Sequence, residues 1–151
     1  MTLQPATLAS RTLYESVGDL LTGLDSNFYN RVFARFHPFS TNPDEQDFPY
    51  VVMVIVGGGD ANIRKKKDAE FQLQVVCYSD DPEESEAGAL VIDNALDDNE
   101  RKDPTERLTA DQWVFTSVTA GRMVTNVETY EQSRTVFADG KVYRVTMEVI
   151  N

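Results

Sequence analysis

The sequence predicts an α+β fold: a two-layer domain with a mostly antiparallel sheet of four to five strands and two helices packed on one face. Three observations predict it. Two stretches place apolar residues at the helical period of 3.6. Several others alternate at the strand period of two. Hairpin connections dominate among the strands, and two amphipathic helices are most simply buried together on one face of such a sheet. The 151 residues form one domain, 1–151, large enough to bury a core without disulfides or metals.

Residues 7–24 read as the first helix. Leu13, Val17, Leu20, Leu21 and Leu24 form one stripe. Thr7 or Ser10 can cap its start, since a hydroxyl accepts a bond from an orphan N–H. Gly23 suits its end, and Gly18 inside the stripe suggests a close approach to the sheet. Residues 28–36 read as extended. The stretch from Pro38 to Asp47 carries prolines and turn residues and reads as a loop. The run Val51–Val56 is uninterrupted and apolar, as in a strand covered on both faces or lying centrally. Gly57-Gly58-Gly59-Asp60 is expected to stop it.

Residues 68–78 alternate, with Phe71, Leu73, Val75 and Cys77 on one side and Glu70, Gln72, Gln74 and Val76 on the other. The two strands then form a hairpin with an extended loop over 57–67. Asp80, Asp81 and Pro82 open the second helix. Pro82 fits its first turn, and Glu83, Glu84 and Glu86 complement the positive end of its dipole. Its stripe is Gly88, Val91, Ile92, Ala95 and Leu96. Residues 99–111 read as a polar excursion. Residues 113–118 and 123–130 are strand-like, as one bent strand or two. Asp139-Gly140 has the chemistry of a type I′ turn and predicts a hairpin between Val136 and Tyr143. From there Tyr143, Val145, Met147 and Val149 alternate to the C-terminus.

Composition excludes several function classes. The chain has 14 Lys and Arg against 25 Asp and Glu, a net charge of −11. Phosphate readout needs a basic face, so specific nucleic-acid binding is not expected. With one Cys and one His, neither an internal disulfide nor a Cys/His zinc site can form. No apolar run reaches the roughly 20 residues of a membrane span, and the N-terminus does not read as a signal peptide. A reducing compartment is the expected setting.

The candidate chemical motifs read mainly as structure. The triple glycine has no Gly-Lys-Ser/Thr after it and is followed by a strand, so it is not a phosphate loop. His37 has no evident partner for acid–base work and reads as a surface histidine. Cys77 sits on the apolar side of a strand as a small hydrophobe. The run from Asp80 to Glu86 matches no EF-hand pattern and reads as a solvated helix start. Asp93, Asp97, Asp98, Glu100 and Asp103 read as a charged face. No catalytic residue, metal or cofactor is expected, although two facing carboxylates hidden by the fold would revive an enzyme. Arg64-Lys65-Lys66-Lys67 is the one basic run in an acidic chain. Two readings of it stand: gatekeeper charges beside an aggregation-prone strand, or a docking arm for an acidic patch on a neighbouring subunit.

The leucine-striped helix Leu13 to Leu24, Phe48-Pro49-Tyr50-Val51-Val52, the alternating run Phe71 to Ser79, the helix Ala87 to Leu96 and the region around Asp139-Gly140 together resemble the tail terminator (tail completion) proteins of long-tailed bacteriophages. The resemblance covers roughly residues 8–150, and its motifs concern packing and not catalysis. It implies a non-enzymatic virion protein, assembled in the host cytoplasm, that forms a ring, usually a hexamer. Such a ring caps the tail tube at the head-proximal end, ends tube elongation and joins the tail to a neck or head-completion protein. DNA passes through its opening without specific binding, and no membrane is involved. On that reading Arg64, Lys65, Lys66 and Lys67 dock against the next subunit or the tube protein. Glu83, Glu84 and Glu86 are their acidic counterparts or line the lumen. The alternatives are another head–tail connector and a non-viral α+β binding module.

Overall fold

The computed structural model describes residues 9–24, 28, 31–34, 48–59, 68–110, 112–129 and 135–149. Its elements run α1 (Ala9–Thr22), β1 (Val32–Ala34), β2 (Tyr50–Gly59), β3 (Asp68–Ser79), α2 (Pro82–Leu96), a 3₁₀ turn (Asn99–Arg101), β4 (Trp113–Thr129) and β5 (Thr135–Val149). The strands form one sheet in the order β1-β2-β3-β5-β4. The short β1 pairs parallel with β2, and the other pairings are antiparallel. The architecture is the two-layer α+β arrangement expected.

Both helices lie on one face of the sheet. In α1, Leu13, Val17 and Leu21 are fully buried; Gly18 faces Met53 of β2, where a Cβ would make only an ordinary contact at 3.6 Å, so the close approach expected there does not require glycine. Tyr14 reaches the sheet as well: its hydroxyl accepts the Ile55 N–H at 2.8 Å. In α2 the buried stripe is Ser85, Gly88, Ile92 and Leu96. A side chain at position 88 would run into Cys77 Sγ of β3, so Gly88 sets how closely α2 seats on the sheet. The same face of the sheet supplies Phe71, Leu73, Val75, Tyr143, Val145 and Met147 to the core.

Two local expectations are corrected and one open alternative is decided. The triple glycine does not end β2. The strand continues through Gly59, with Val56 bulged between the Ile55–Leu73 and Gly57–Gln72 pairs. Gly58 adopts φ 90° where a Cβ would lie 2.7 Å from Phe71 Cα, so glycine here permits a close strand approach. The loop expected over 57–67 therefore starts only after Gly59, and residues 60–67 lie outside the described set.

Asp139-Gly140 is not a turn either. Strand β5 runs straight through it, with Asp139 opposite Cys77 and Thr125, and Gly140 opposite Val76 and Val124. Finally, residues 113–129 are a single strand, offset at Phe115/Ser117 and again at Ala120/Met123. Bulges bend a strand without ending it.

The segment expected as a polar excursion is pinned at two points. Asn99 is buried and its Oδ1 accepts the Leu108 N–H at 2.9 Å. Leu108 joins the core, while residues 103–107 are exposed. Ser16 of α1 donates to the Thr109 carbonyl at 2.9 Å, which ties the segment back to the first helix.

Cys77 is fully buried and free. Burial pushes its thiol up to about 12, helped by the charges of Glu84 and Asp139. The folded state therefore holds the proton more tightly than the unfolded chain. That contribution to stability is complete below about pH 9 and is lost as pH rises through 9 toward 12, with a slope approaching about 1.4 kcal/mol per pH unit. Denaturant titrations across this window should show the decline in native protein and a weaker one in Cys77→Ala. Identical profiles for the two proteins would remove the thiol from the account.

Candidate functional site

The start of α2, just after β3, holds three of the candidate residues. Asp81 caps α2, its Oδ1 accepting the Glu83 N–H at 3.0 Å. Ser79 links strand and helix: its hydroxyl donates to Glu84 Oε1 at 2.9 Å and accepts the Asp81 N–H at 3.1 Å. Glu84 is thus turned inward as part of the helix start. Glu83 and Glu86 are exposed and form the acidic rim of this end of the sheet. Below them Ser85 donates to the Asp139 carboxylate at 2.5 Å, joining α2 to β5.

The other charged candidates, Arg64, Lys65, Lys66 and Lys67, lie outside the described residues, as does His37. Their place in the chain is nonetheless bounded. They sit in the connection between Gly59 and Asp68, at the start of β3. Glu83 and Glu86 follow its other end. Twelve residues of β3 separate the two ends by about 36 Å. Near the basic end, Glu70 is already paired with Arg144 at 3.1 Å.

The later acidic residues are not a plain solvated face. Asp93 accepts from Lys141 Nζ at 3.1 Å and from the Tyr143 hydroxyl at 3.0 Å. Burial pushes the Tyr143 phenol well above its ordinary range, and the adjacent Asp93 charge adds to the effect. Asp97 Oδ1 accepts the Ala120 N–H at 2.8 Å, and Glu100 Oε2 that of Val118 at 3.3 Å. The Asp98 N–H donates to the Val118 carbonyl at 3.0 Å, with Asp98 at φ 54°. These groups cover the middle of β4, an edge strand whose N–H and C=O groups would otherwise face solvent. Sequence reasoning missed this role, because spacing places residues on a helix but does not say what lies opposite them. The buried Ser85 was nearer to being legible, since it extends the Gly88–Ile92–Leu96 stripe by one turn.

Beyond that covered stretch β4 is different. Met123 and Val127 are 69% and 60% exposed. Met123 pairs with Lys141 and Val127 with Phe137, which places both on the helix-bearing side of the sheet. Helix α2 packs chiefly on β5 and β3, so this end of β4 forms an apolar shelf beside the helix. Leu90, one turn after Glu86 on α2, is also 61% exposed.

Hollows among the described residues lie elsewhere. One of about 610 Å³ lies between α1 and α2, lined by Leu20, Leu24, Val91, Ala95 and Lys102 among others. Burial there pushes the Lys102 ammonium down, against the opposing pull of Glu106 and Asp97, and its Nζ donates to the Asn94 carbonyl at 2.6 Å. The other, about 700 Å³, lies on the opposite face of the sheet between Glu70, Gln72, Thr119, Arg122 and Arg144. Among the described residues no three of His, Cys, Asp and Glu converge as a metal set, and no helix is long and apolar enough to cross a membrane.

No protein-family model matches the sequence, and no curated protein matches it. The fold is similar to that of a chain in a solved structure described as "Virion of native gene transfer agent (GTA) particle". The match has a TM-score of 0.64 at 15% identity, and covers 92% of this chain and 96% of that one. The likeness is one of fold, extending over nearly the whole length of both chains.

Proposed function

We propose that this chain is a non-enzymatic structural protein of a phage-like virion: a tail terminator whose copies close into a ring, taken as a hexamer. The ring would cap the tail tube, end its elongation and join the tail to the neck. The observation that carries the reading is the end-to-end fold likeness to a chain of a virion particle. Two features of the molecule support it. The basic run precedes β3 in the chain and the acidic rim follows it, an order that suits attraction between copies. Contacts between unlike surfaces propagate from copy to copy and close into a ring when the rotation allows. The net charge of −11, multiplied around an annulus, repels phosphates and lets duplex DNA slide through without sticking.

Negative-stain micrographs and native mass spectrometry of the purified protein, alone and with tail tubes, should show closed rings and a bound cap. Substituting Ser for Arg64, Lys65, Lys66 and Lys67 together should abolish ring or tube attachment and leave the melting curve of the monomer unchanged. Normal virion assembly by that variant would refute the docking role. Binding to DNA-filled heads but not to tubes would move the protein to another position in the neck.

A further inference from the structure

We infer that the open edge of β4 from Met123 to Val127 pairs antiparallel with the same stretch of a second copy of this chain, about a two-fold axis at Thr125. The inference goes beyond the ring reading and does not depend on it. Ring contacts join unlike surfaces, whereas this one joins a surface to itself and closes after two copies.

Strand β4 lies at the edge of the sheet and is guarded along part of its length. Asp97, Asp98 and Glu100 bond its backbone at Val118 and Ala120. The bulge between Ala120 and Met123 follows, and it holds the exposed Arg122. A bulge and a charge both discourage pairing. From Met123 to Thr129 the strand then runs in unbroken register with β5, and Met123, Thr125 and Val127 are exposed. The Val127 N–H donates to the adjacent Asn126 Oδ1 at 2.9 Å, which places it on the open side of the strand. Outward groups belong to alternate residues of an antiparallel ladder, so Met123, Thr125 and Val127 present their backbone to that side.

The order of residues in this stretch selects the occupant. Pairing about Thr125 sets Met123 of each copy against Val127 of the other, so each exposed apolar residue meets another. The same register sets Arg122 against Glu128, opposite charges at directly opposed positions, and does so twice. Moving the centre by one residue in either direction puts Met123 against a threonine and separates Arg122 from Glu128. The charge that discourages other strands is answered by this one.

The test introduces cysteines into the full chain. Thr125→Cys lies at the axis, where paired Cα atoms are about 5.5 Å apart, within the span of a disulfide. Mild oxidation should convert most of it to a covalent dimer. Met123→Cys is also at an exposed position, but its counterpart in the pair lies about 13 Å away along the strand. It should link only when mixed with Val127→Cys. Wild type, whose one cysteine is buried, should stay unlinked. Sedimentation should show Arg122→Glu associating at least about tenfold more weakly than wild type, since the change acts twice in the pair. Arg122→Glu combined with Glu128→Arg should restore association, and circular dichroism verifies that each variant folds. Equal linking at positions 123 and 125, or a wild-type protein that sediments as a monomer at high concentration, would overturn the pairing. Closed rings with no link at position 125 would overturn this contact and leave the ring reading standing. Linked dimers that never close into rings would support the contact and count against the ring.

Discussion

Replacing Gly140 by valine is expected to destabilise the protein by more than about 3 kcal/mol, the upper range for forcing volume into a packed interior. For a chain of this size that lowers the melting temperature by roughly 10 °C. The reason is where the side chain would go. A Cβ at position 140 is driven into the Val75 carbonyl oxygen and lies 2.7 Å from Val76 Cα. Both are backbone atoms of β3, held on their other side by β2, so they cannot swing aside as a side chain would. Gly18→Ala is the matched comparison. Its Cβ meets the flexible end of Met53 at 3.6 Å, and alanine improves helix propensity by about 1 kcal/mol, so that variant should be neutral or more stable. Differential scanning calorimetry on the two proteins checks both signs. A Gly140→Val protein that melts with wild type would mean that β5 does not lie against β3 at this point.

Asp93→Ala is expected to cost about 2–4 kcal/mol. Asp93 receives two donors on β5, the Lys141 ammonium and the Tyr143 hydroxyl. Tyr143 is 1% exposed, so its hydroxyl would be left buried without this acceptor. The Lys141 ammonium, about one-third exposed, loses its partner but keeps access to water, and contributes the smaller share. Asp93→Asn keeps an acceptor for the hydroxyl and should cost only about 1 kcal/mol. Adding Tyr143→Phe to Asp93→Ala should recover part of the loss, since the orphaned hydroxyl is then gone. Urea titrations of wild type, Asp93→Ala, Tyr143→Phe and the double variant give the coupling directly. Additive losses, with no recovery in the double variant, would show that the two groups do not act on each other.

These two residues also show where reading the chain succeeds and where it stops. Both helices, the alternating strand at Phe71–Cys77 and the opening of the second helix at Asp80 to Pro82 were legible, because periodicity and helix-start chemistry are carried by residues close together in the chain. The glycines were recognised as special at Gly57–Gly59 and at Gly140, but were taken for turns. A glycine that permits a turn and one that permits a close strand look alike until the facing backbone is known. Asp93, Asp97 and Glu100 were read as a solvated face for the same reason: their partners Tyr143, Ala120 and Val118 lie 18 to 50 residues away.

The charged candidates divide along the same line. Net charge, the basic run at Arg64–Lys67 and the acidic run at Glu83–Glu86 are plain in the chain, as is the absence of Cys/His ligand sets. That Glu84 turns inward to Ser79, and that Met123 and Val127 are left exposed, came from the folded arrangement. Composition and short-range spacing reside in the covalent chain and survive unfolding. Distance between charges, and which apolar residues find no cover, exist only once the sheet has assembled.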